Sequence, residues 1–130
     1  MEEFEVSTSK HQEFIDITPR VQGMVLKSKI KEGICLIFIP HTTAGITINE
    51  NADPSVQRDI LYGLDHFVPK RGFEHSEGNS PAHIKSSLIG SSLSVIIENG
   101  SLKLGTWQGI YFCEFDGPRK RNVWVKILKA

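Results

Sequence analysis

The segment that most constrains the fold is residues 33–40, GICLIFIP, in which almost every side chain is apolar. An apolar run of this length, bounded by glycine and proline, is typical of a β-strand covered on both faces. Such a strand must lie inside a sheet, and other elements must pack above and below it. The sequence therefore predicts a layered domain built around one central strand.

Several shorter segments alternate apolar and polar residues, as half-buried strands do. They include EFEV and FIDI near the start, AGITI in the middle, and VWVKIL near the end. The pair Asn99-Gly100 lies between two further apolar segments and predicts a tight hairpin turn. We expect about seven strands, most of them antiparallel.

Three helices are predicted, each by a proline that follows a residue able to cap a helix: Thr18-Pro19, Asp53-Pro54 and Ser80-Pro81. The first helix is expected to end at Gly33. The second is expected to cover the sheet with an apolar arc that includes Phe67. Residues 68–80 show no period and predict a long loop. The expected fold is a single α+β domain over residues 1–130.

Composition excludes several classes of protein. The 15 basic and 15 acidic side chains cancel, which argues against a main role in binding nucleic acid or an anionic membrane surface. No apolar run approaches the roughly 20 residues that cross a bilayer, and the start MEEFEVSTSK is acidic. We therefore expect a cytoplasmic protein. Cys35 and Cys113 each lie in an apolar segment and are interpreted as buried hydrophobic residues.

Three histidines lie where predicted elements begin or end: His41 after the central strand, His75 in the loop and His83 in the third helix. If the third helix starts at Ser80, the positive end of its dipole would disfavour protonation of His83, and a neutral ring can bind a metal or donate a hydrogen bond. The three histidines have no compact spacing, and each could equally be a structural residue. Lys85 lies on the opposite side of the third helix, where it either extends past the core or meets another subunit.

Two further segments are rich in polar side chains. In INENADP, Asp53 is explained as a helix cap, whereas Glu50 and Asn51 are either a hard-cation site or an exposed turn. In GTWQGIYFCEFDGPRKR, strand alternation places Glu114 on a mostly apolar face, so it must be paired, bind a metal or have a raised pKa. Arg119 follows in a turn and could bind a phosphate.

With HTTAGITINENADPSVQRDI, GNSPAHIKSSLIGSSLSVII and LGTWQGIYFCEFDGPR, the chain resembles the YjbQ-like family, often described as secondary thiamine-phosphate synthase. The resemblance extends over nearly the whole chain. It implies an α+β fold with a sandwich-like antiparallel sheet, assembled as a homotrimer with sites near subunit boundaries. The positions that match the family's motifs are His41, Asn49, Glu50, Asn51, Asp53, His75, His83, Lys85, Thr106, Trp107, Gln108 and Glu114.

The reaction implied by this resemblance joins hydroxymethylpyrimidine diphosphate to a thiazole phosphate and releases pyrophosphate, which must be neutralised as it leaves. Three groups of residues would carry it. A divalent metal ion, zinc or magnesium, would be held by His41, His75, His83, Glu50 and Asp53. The catalytic residues would be His83, His75 and Glu114. The small phosphorylated substrate would be bound by Asn49, Asn51, Lys85, Thr106, Trp107, Gln108 and Arg119.

Two other hypotheses fit the same residues. Three histidines and several carboxylates also suit a metal-dependent phosphohydrolase, which would release phosphate without a thiazole substrate. A metabolite-binding protein without catalysis could use the same pocket. Imidazole ligands favour zinc and carboxylates favour magnesium, so the identity of the metal stays open.

Overall fold

Eight strands and three helices make up the chain in the computed structural model, which describes residues 1–130. The strands are β1 (Glu2–Ser7), β2 (Glu13–Asp16), β3 (Gly33–Phe38), β4 (Ala44–Glu50), β5 (Ser92–Glu98), β6 (Ser101–Leu102), β7 (Gln108–Glu114) and β8 (Lys120–Lys129). The helices are α1 (Thr18–Ser28), α2 (Ser55–Phe67) and α3 (Ser80–Ile89). None of the helices is both long and apolar enough to cross a membrane.

The strands form two antiparallel sheets that face each other across the main core. The larger sheet has the order β1-β8-β3-β5-β6, and the smaller one has the order β2-β7-β4. Inward-facing side chains of both sheets meet in one cluster, which includes Ile37 of β3, Ile46 of β4 and Phe112 of β7. Val21 and Val25 of α1 complete that cluster. The prediction of an antiparallel, sandwich-like α+β domain is confirmed.

A third layer lies on the other face of the small sheet. There Tyr111 and Cys113 of β7 pack with Ala82 of α3, and Leu61 and Leu64 of α2 pack against them. Because successive residues of a strand point to opposite faces, β7 supplies both the main core and this smaller cluster. The small sheet is therefore the middle layer, between the larger sheet and the two helices.

The expectation that β3 is covered on both faces is wrong. Cys35 and Ile37 are buried, whereas Ile34, Leu36 and Phe38 on the other face are exposed. The helices all lie on the inner side of the larger sheet or beyond the small sheet, so nothing within the chain covers the outer face. A two-sided apolar pattern shows that both faces need cover, but it does not show that one chain provides it.

Two predictions about the helices also need correction. Helix α1 ends at Ser28, with Lys29 in the left-handed conformation at φ 61°, and Gly33 instead begins β3. Helix α2 has no fully buried residue, and Phe67 is 80% exposed. The predicted apolar arc of α2 contacts the rest of the domain only along part of its length.

Candidate functional site

His41 lies in the short connection between β3 and β4, and its ring is fixed by a backbone contact. The amide N–H of Asn122, in β8, donates a hydrogen bond of 2.8 Å to Nε2 of His41. A ring nitrogen that accepts a hydrogen bond carries no proton, so a neutral His41 has its proton on Nδ1. Partial burial, together with the nearby charge of Arg121, lowers the pKa of His41 and favours this neutral form.

A polar cleft separates His41 from helix α3. Its volume is about 370 Å³, and none of its lining residues is hydrophobic. Hydroxyl and imidazole groups make up most of its wall. The hydroxyls of Ser86 and Ser87 already donate to the backbone oxygens of Ala44 and His83, so the donors that remain for a polar ligand are the other hydroxyls and the imidazoles. We call it the histidine cleft, and its lining residues are His41, Thr42, His83, Ser86, Ser87, Gly90 and Ser91.

His83 also borders a second, adjoining cavity of about 280 Å³, which it shares with His75. The two rings meet edge to face, with their centroids 5.5 Å apart and an interplanar angle of 85°. Thr42 lines both cavities as well. Three histidines that are far apart in the sequence thus border one continuous polar surface.

Arginine side chains form one rim of this surface. Arg119 lines the cavity that contains His75 and His83, and its guanidinium donates to the backbone oxygen and the carboxylate of Asp116 at 2.9 and 3.2 Å. Because the side chain is half exposed, its remaining N–H groups are free to reach a ligand. The surface therefore combines imidazole, hydroxyl and guanidinium donors.

Glu114 lies beside this surface and is completely buried. Its carboxylate is paired with Arg121, which is also buried, and it accepts hydrogen bonds from Oγ1 of Thr8 at 2.8 Å and from the amide of Asp116 at 3.0 Å. Burial opposes ionisation of Glu114, but the hydrogen bonds from Arg121, Asp116 and Thr8 outweigh it and lower its pKa. With no exposed surface, Glu114 holds Arg121 and does not contact a ligand.

Lys85, predicted to bind phosphate, is engaged elsewhere. Its ammonium donates to Oδ1 of Asp65 at 2.5 Å and to Oε1 of Gln12 at 2.6 Å, and its side chain is almost wholly buried. Desolvation opposes ionisation of Asp65, but the hydrogen bonds from Lys85 and Gln12 lower its pKa. Lys85 therefore ties α3 to α2 and does not line the histidine cleft.

The remaining predicted site residues lie at the far end of the small sheet. Ala44 pairs with Glu114 next to the cleft, whereas Glu50 pairs with Gln108 at the other end of β4, roughly 20 Å away. The amide of Asn51 donates to the backbone oxygen of Trp107 at 2.9 Å. We call this group the far-end cluster; it comprises Asn49, Glu50, Asn51, Asp53, Thr106, Trp107 and Gln108.

The structure explains part of the far-end cluster without a ligand. Oδ1 of Asp53 accepts a hydrogen bond of 2.9 Å from the amide of Ser55, the first residue of α2. This hydrogen bond lowers the pKa of Asp53. Oε1 of Gln108 accepts from the amide of Gly105 at 2.8 Å. Trp107 is mostly exposed. Asp53 therefore closes a turn at the start of α2, but the predicted cap is displaced by one residue, because Pro54 occupies the N-cap position.

One chain does not assemble the predicted metal ligands. Glu50 and Asp53 belong to the far-end cluster, and Nε2 of His41 is occupied by the amide of Asn122. Only His75 and His83 remain close together, and no three His, Cys, Asp or Glu side chains are placed to hold a metal ion. The predicted five-residue ligand set therefore does not fit the geometry of a single chain.

Arg121 is the site residue that the sequence interpretation misses, because the consecutive charges of Arg119, Lys120 and Arg121 are typical of a solvated turn. The structure places it in β8 and buries it. Strand alternation could have found it, since Arg121 has the same parity as the core residues Val123 and Val125. Arg121 and Glu114 both point inward and carry opposite charges, so each neutralises the other in the interior.

Comparison with known proteins agrees with this fold over the whole chain. Residues 2–130 match the family model described as UPF0047 protein YjbQ-like. UPF0047 protein MJ1081 of Methanocaldococcus jannaschii is 57% identical over 126 residues, covering 96% of this chain and 91% of that protein. UPF0047 protein YugU of Bacillus subtilis is 53% identical over 126 residues, covering 95% and 96% of the two chains.

Solved structures show the same architecture. A YjbQ/UPF0047 family protein of Clostridium acetobutylicum superposes with a TM-score of 0.96 at 61% identity, covering 98% of this chain and 100% of that one. A YbjQ-like protein of unknown function from Sulfolobus solfataricus gives a TM-score of 0.95 at 39% identity, covering 99% and 96%. The chain belongs to the YjbQ-like UPF0047 family.

Proposed function

We propose that the histidine cleft binds the phosphate groups of a small phosphorylated metabolite. The observation that carries this proposal is the convergence of imidazole, hydroxyl and guanidinium groups on one polar surface with no hydrophobic residue in the cleft wall. Phosphate oxygens accept hydrogen bonds from all three kinds of group, and arginine is well suited to phosphate geometry. A cleft of about 370 Å³ has room for a small ligand.

We further propose that the reaction is the transfer implied by the family resemblance, which forms thiamine phosphate. In this reaction the thiazole nitrogen attacks the methylene carbon of the pyrimidine diphosphate. The carbon–oxygen bond breaks, and pyrophosphate leaves with the bonding electrons. The protein would supply orientation and donors that stabilise the leaving charge. We assign these functions to Arg119, His75 and His83, which line one cavity.

The test is incubation of the purified protein with both substrates, followed by ³¹P NMR for pyrophosphate and chromatography for thiamine phosphate. His83→Ala should lower the rate by about 100-fold or more, the effect typical of a lost proton donor or acceptor. His66→Ala is the matched control, because His66 is exposed on α2 and does not line the histidine cleft. An unchanged rate in His83→Ala would exclude the cleft as the reaction site.

A second candidate is a phosphohydrolase. It is favoured by the paired rings of His75 and His83, which share their cavity with the carboxylates of Glu77 and Asp116 and could activate a water molecule. The same ³¹P spectra distinguish the candidates, because a hydrolase releases phosphate when the thiazole substrate is omitted. Tight binding without product in either assay would instead indicate a metabolite-binding protein.

The outer face of the larger sheet supports a third proposal, that copies of this chain cover that face in a homotrimer. Soluble monomers seldom expose a large contiguous apolar patch, whereas this face carries apolar side chains from β3, β5 and β8. Phe38 and Trp124 stack there with their ring centroids 5.8 Å apart. We call these residues the outer patch: Ile34, Leu36, Phe38, Ile96, Trp124 and Leu128.

The outer patch also extends to the polar surface, because Phe38 lines a cavity of about 450 Å³ together with His41, Arg119 and Arg121. A neighbouring copy on this patch would therefore sit beside the site. Light scattering after size exclusion should give the mass of a trimer, and Ile96→Lys should reduce it to the monomer mass. Leu26→Lys on α1 is the control, since Leu26 is 59% exposed and Ile96 is 61% exposed. A monomeric wild type would refute the proposal.

A further inference from the structure

The orientation of the His41 ring depends on the backbone amide of Asn122, a residue that does not line the histidine cleft. Its Nε2 accepts the amide N–H of Asn122 at 2.8 Å, which leaves Nδ1 as the one ring nitrogen available to a ligand. The bond exists only while Nε2 carries no proton. The position of the Asn122 amide thus decides which ring nitrogen of His41 carries the proton.

Arg121, the residue before Asn122, is held more firmly than its neighbours in the chain. Its Nε donates to Oε1 of Glu114 at 2.8 Å, and its Nη2 donates to Oε2 of Glu114 and to Oγ1 of Thr43 at 2.9 Å. Nη2 also contacts the backbone oxygen of Thr43 at 3.2 Å. Arg121 therefore joins the start of β8, the end of β7 and the 41–43 connection.

The Arg121 guanidinium holds the backbone on both sides of the hydrogen bond between the Asn122 amide and His41. Thr43 lies two residues after His41, and Asn122 directly follows Arg121. Arg121 and Glu114 are buried, so exchange with water does not compete with the fork-shaped pairing between them. A lysine at position 121 would keep the charge but lose the fork that bonds both partners at once.

We propose that the buried Glu114–Arg121 pair is a positioning device that holds His41 as its Nδ1-protonated tautomer, so that the ring donates a hydrogen bond to a phosphoryl oxygen. This inference rests on the proposed function. It assigns His41 the role of hydrogen-bond donor in place of metal ligand, since the nitrogen that could bind a metal faces the Asn122 amide. Glu114 and Arg121 act through His41 and are positioning residues.

Long-range ¹H–¹⁵N correlation spectra of the histidine rings test this directly in the ligand-free protein. Wild-type His41 should carry its proton on Nδ1. In Arg121→Lys a substantial population should carry it on Nε2, and pyrophosphate should bind about tenfold more weakly, as expected for the loss of one hydrogen bond to a charged group. Arg58→Lys, at an exposed arginine of α2, is the matched control and should change neither quantity.

A proton on Nε2 of wild-type His41 would overturn the proposal, and this measurement needs no variant to fold. An unchanged tautomer in folded Arg121→Lys would also overturn it. The proposed function has a separate readout. If the wild type shows the Nδ1 tautomer but does not bind pyrophosphate, the phosphate site is refuted while the tautomer comparison still decides the positioning role.

Discussion

Removal of one partner from the buried Glu114–Arg121 pair should destabilise the protein far more than removal of both. The side chains are 0% and 3% exposed, so a charge left alone cannot recover its hydration. Breaking such a pair costs about 3–5 kcal/mol, whereas replacing both partners with neutral groups of similar volume is often close to neutral. A domain of this kind is stable by only about 5–15 kcal/mol in total, so either single loss is severe.

Three variants measure this effect as a double-mutant cycle: Glu114→Gln, Arg121→Met and the combination. In Glu114→Gln the guanidinium of Arg121 stays buried without an opposite charge, and in Arg121→Met the carboxylate loses two of its four hydrogen bonds. Guanidinium unfolding should show losses of about 3–5 kcal/mol for each single variant and a smaller loss for the double variant than for either single one, which requires a coupling energy of more than about 3 kcal/mol.

The exposed pair Glu98–Lys103 provides a matched control with an N–O distance of 3.0 Å. Glu98→Gln and Lys103→Met should each cost less than about 1 kcal/mol, and their effects should add. Single losses at Glu114 and Arg121 that are equally small, or that add without coupling, would refute the conclusion that these two charges depend on each other.

Three further predictions concern pH dependence, ligand affinity and backbone packing. Because the folded pKa of Glu114 is lowered from its ordinary value of 4.5, the unfolded chain binds more protons just below that value. Stability should therefore be full near neutral pH and fall as the pH drops below about 4.5 through the folded pKa, as urea unfolding at several pH values would show. Lys85→Met should leave pyrophosphate affinity within about twofold of wild type in calorimetry, because Asp65 and Gln12 already hold the Lys85 ammonium. Gly33→Ala should lower the free energy of unfolding by about 1–3 kcal/mol in thermal unfolding, because a Cβ there would lie 2.1 Å from the backbone oxygen of Leu128. Gly63→Ala in α2 is the control: its Cβ meets nothing within 4 Å, so the variant should be more stable by about 0.5–1 kcal/mol.

Local patterns in the sequence predicted the strands well because side-chain alternation is a local property. The hairpin at Asn99-Gly100 forms as expected, with φ values of 53° and 82°. The proline pairs marked the starts of three helices to within about one residue. The predicted caps are wrong, because Ile17, Pro54 and Asn79 occupy the N-cap positions and none of them makes a side-chain cap hydrogen bond. Which faces of a helix or strand are buried by other elements was not predictable, because this depends on which elements pack together. The apolar arc of α2 and the outer side of β3 both looked buried in the sequence and are partly or largely exposed.

The candidate site shows the same division between local and long-range information. Helix α3 places His83, Ser86 and Ser87 on the cleft, and their helical spacing was visible in the sequence. The contact between His41 and Asn122 joins residues 81 positions apart, and the pair Glu114–Arg121 spans a reversal of the chain. Such contacts follow from strand order and register, which no local period specifies.

The two polar groups on this chain cannot serve one ligand within one copy. A small metabolite in the histidine cleft lies roughly 20 Å from Glu50 and Gln108, far beyond its own length. Phe38 of the outer patch lines a neighbouring cavity that shares His41 with the histidine cleft, so the exposed apolar face adjoins the polar surface. Trp107 is mostly exposed and would be able to stack on a ring only in a ligand bound at the far end, or in one held by a neighbouring copy. The chemistry of the cleft must therefore be explained first from His41, His75, His83 and Arg119, and the far-end cluster belongs to a mechanism only if assembly brings it to another copy's cleft.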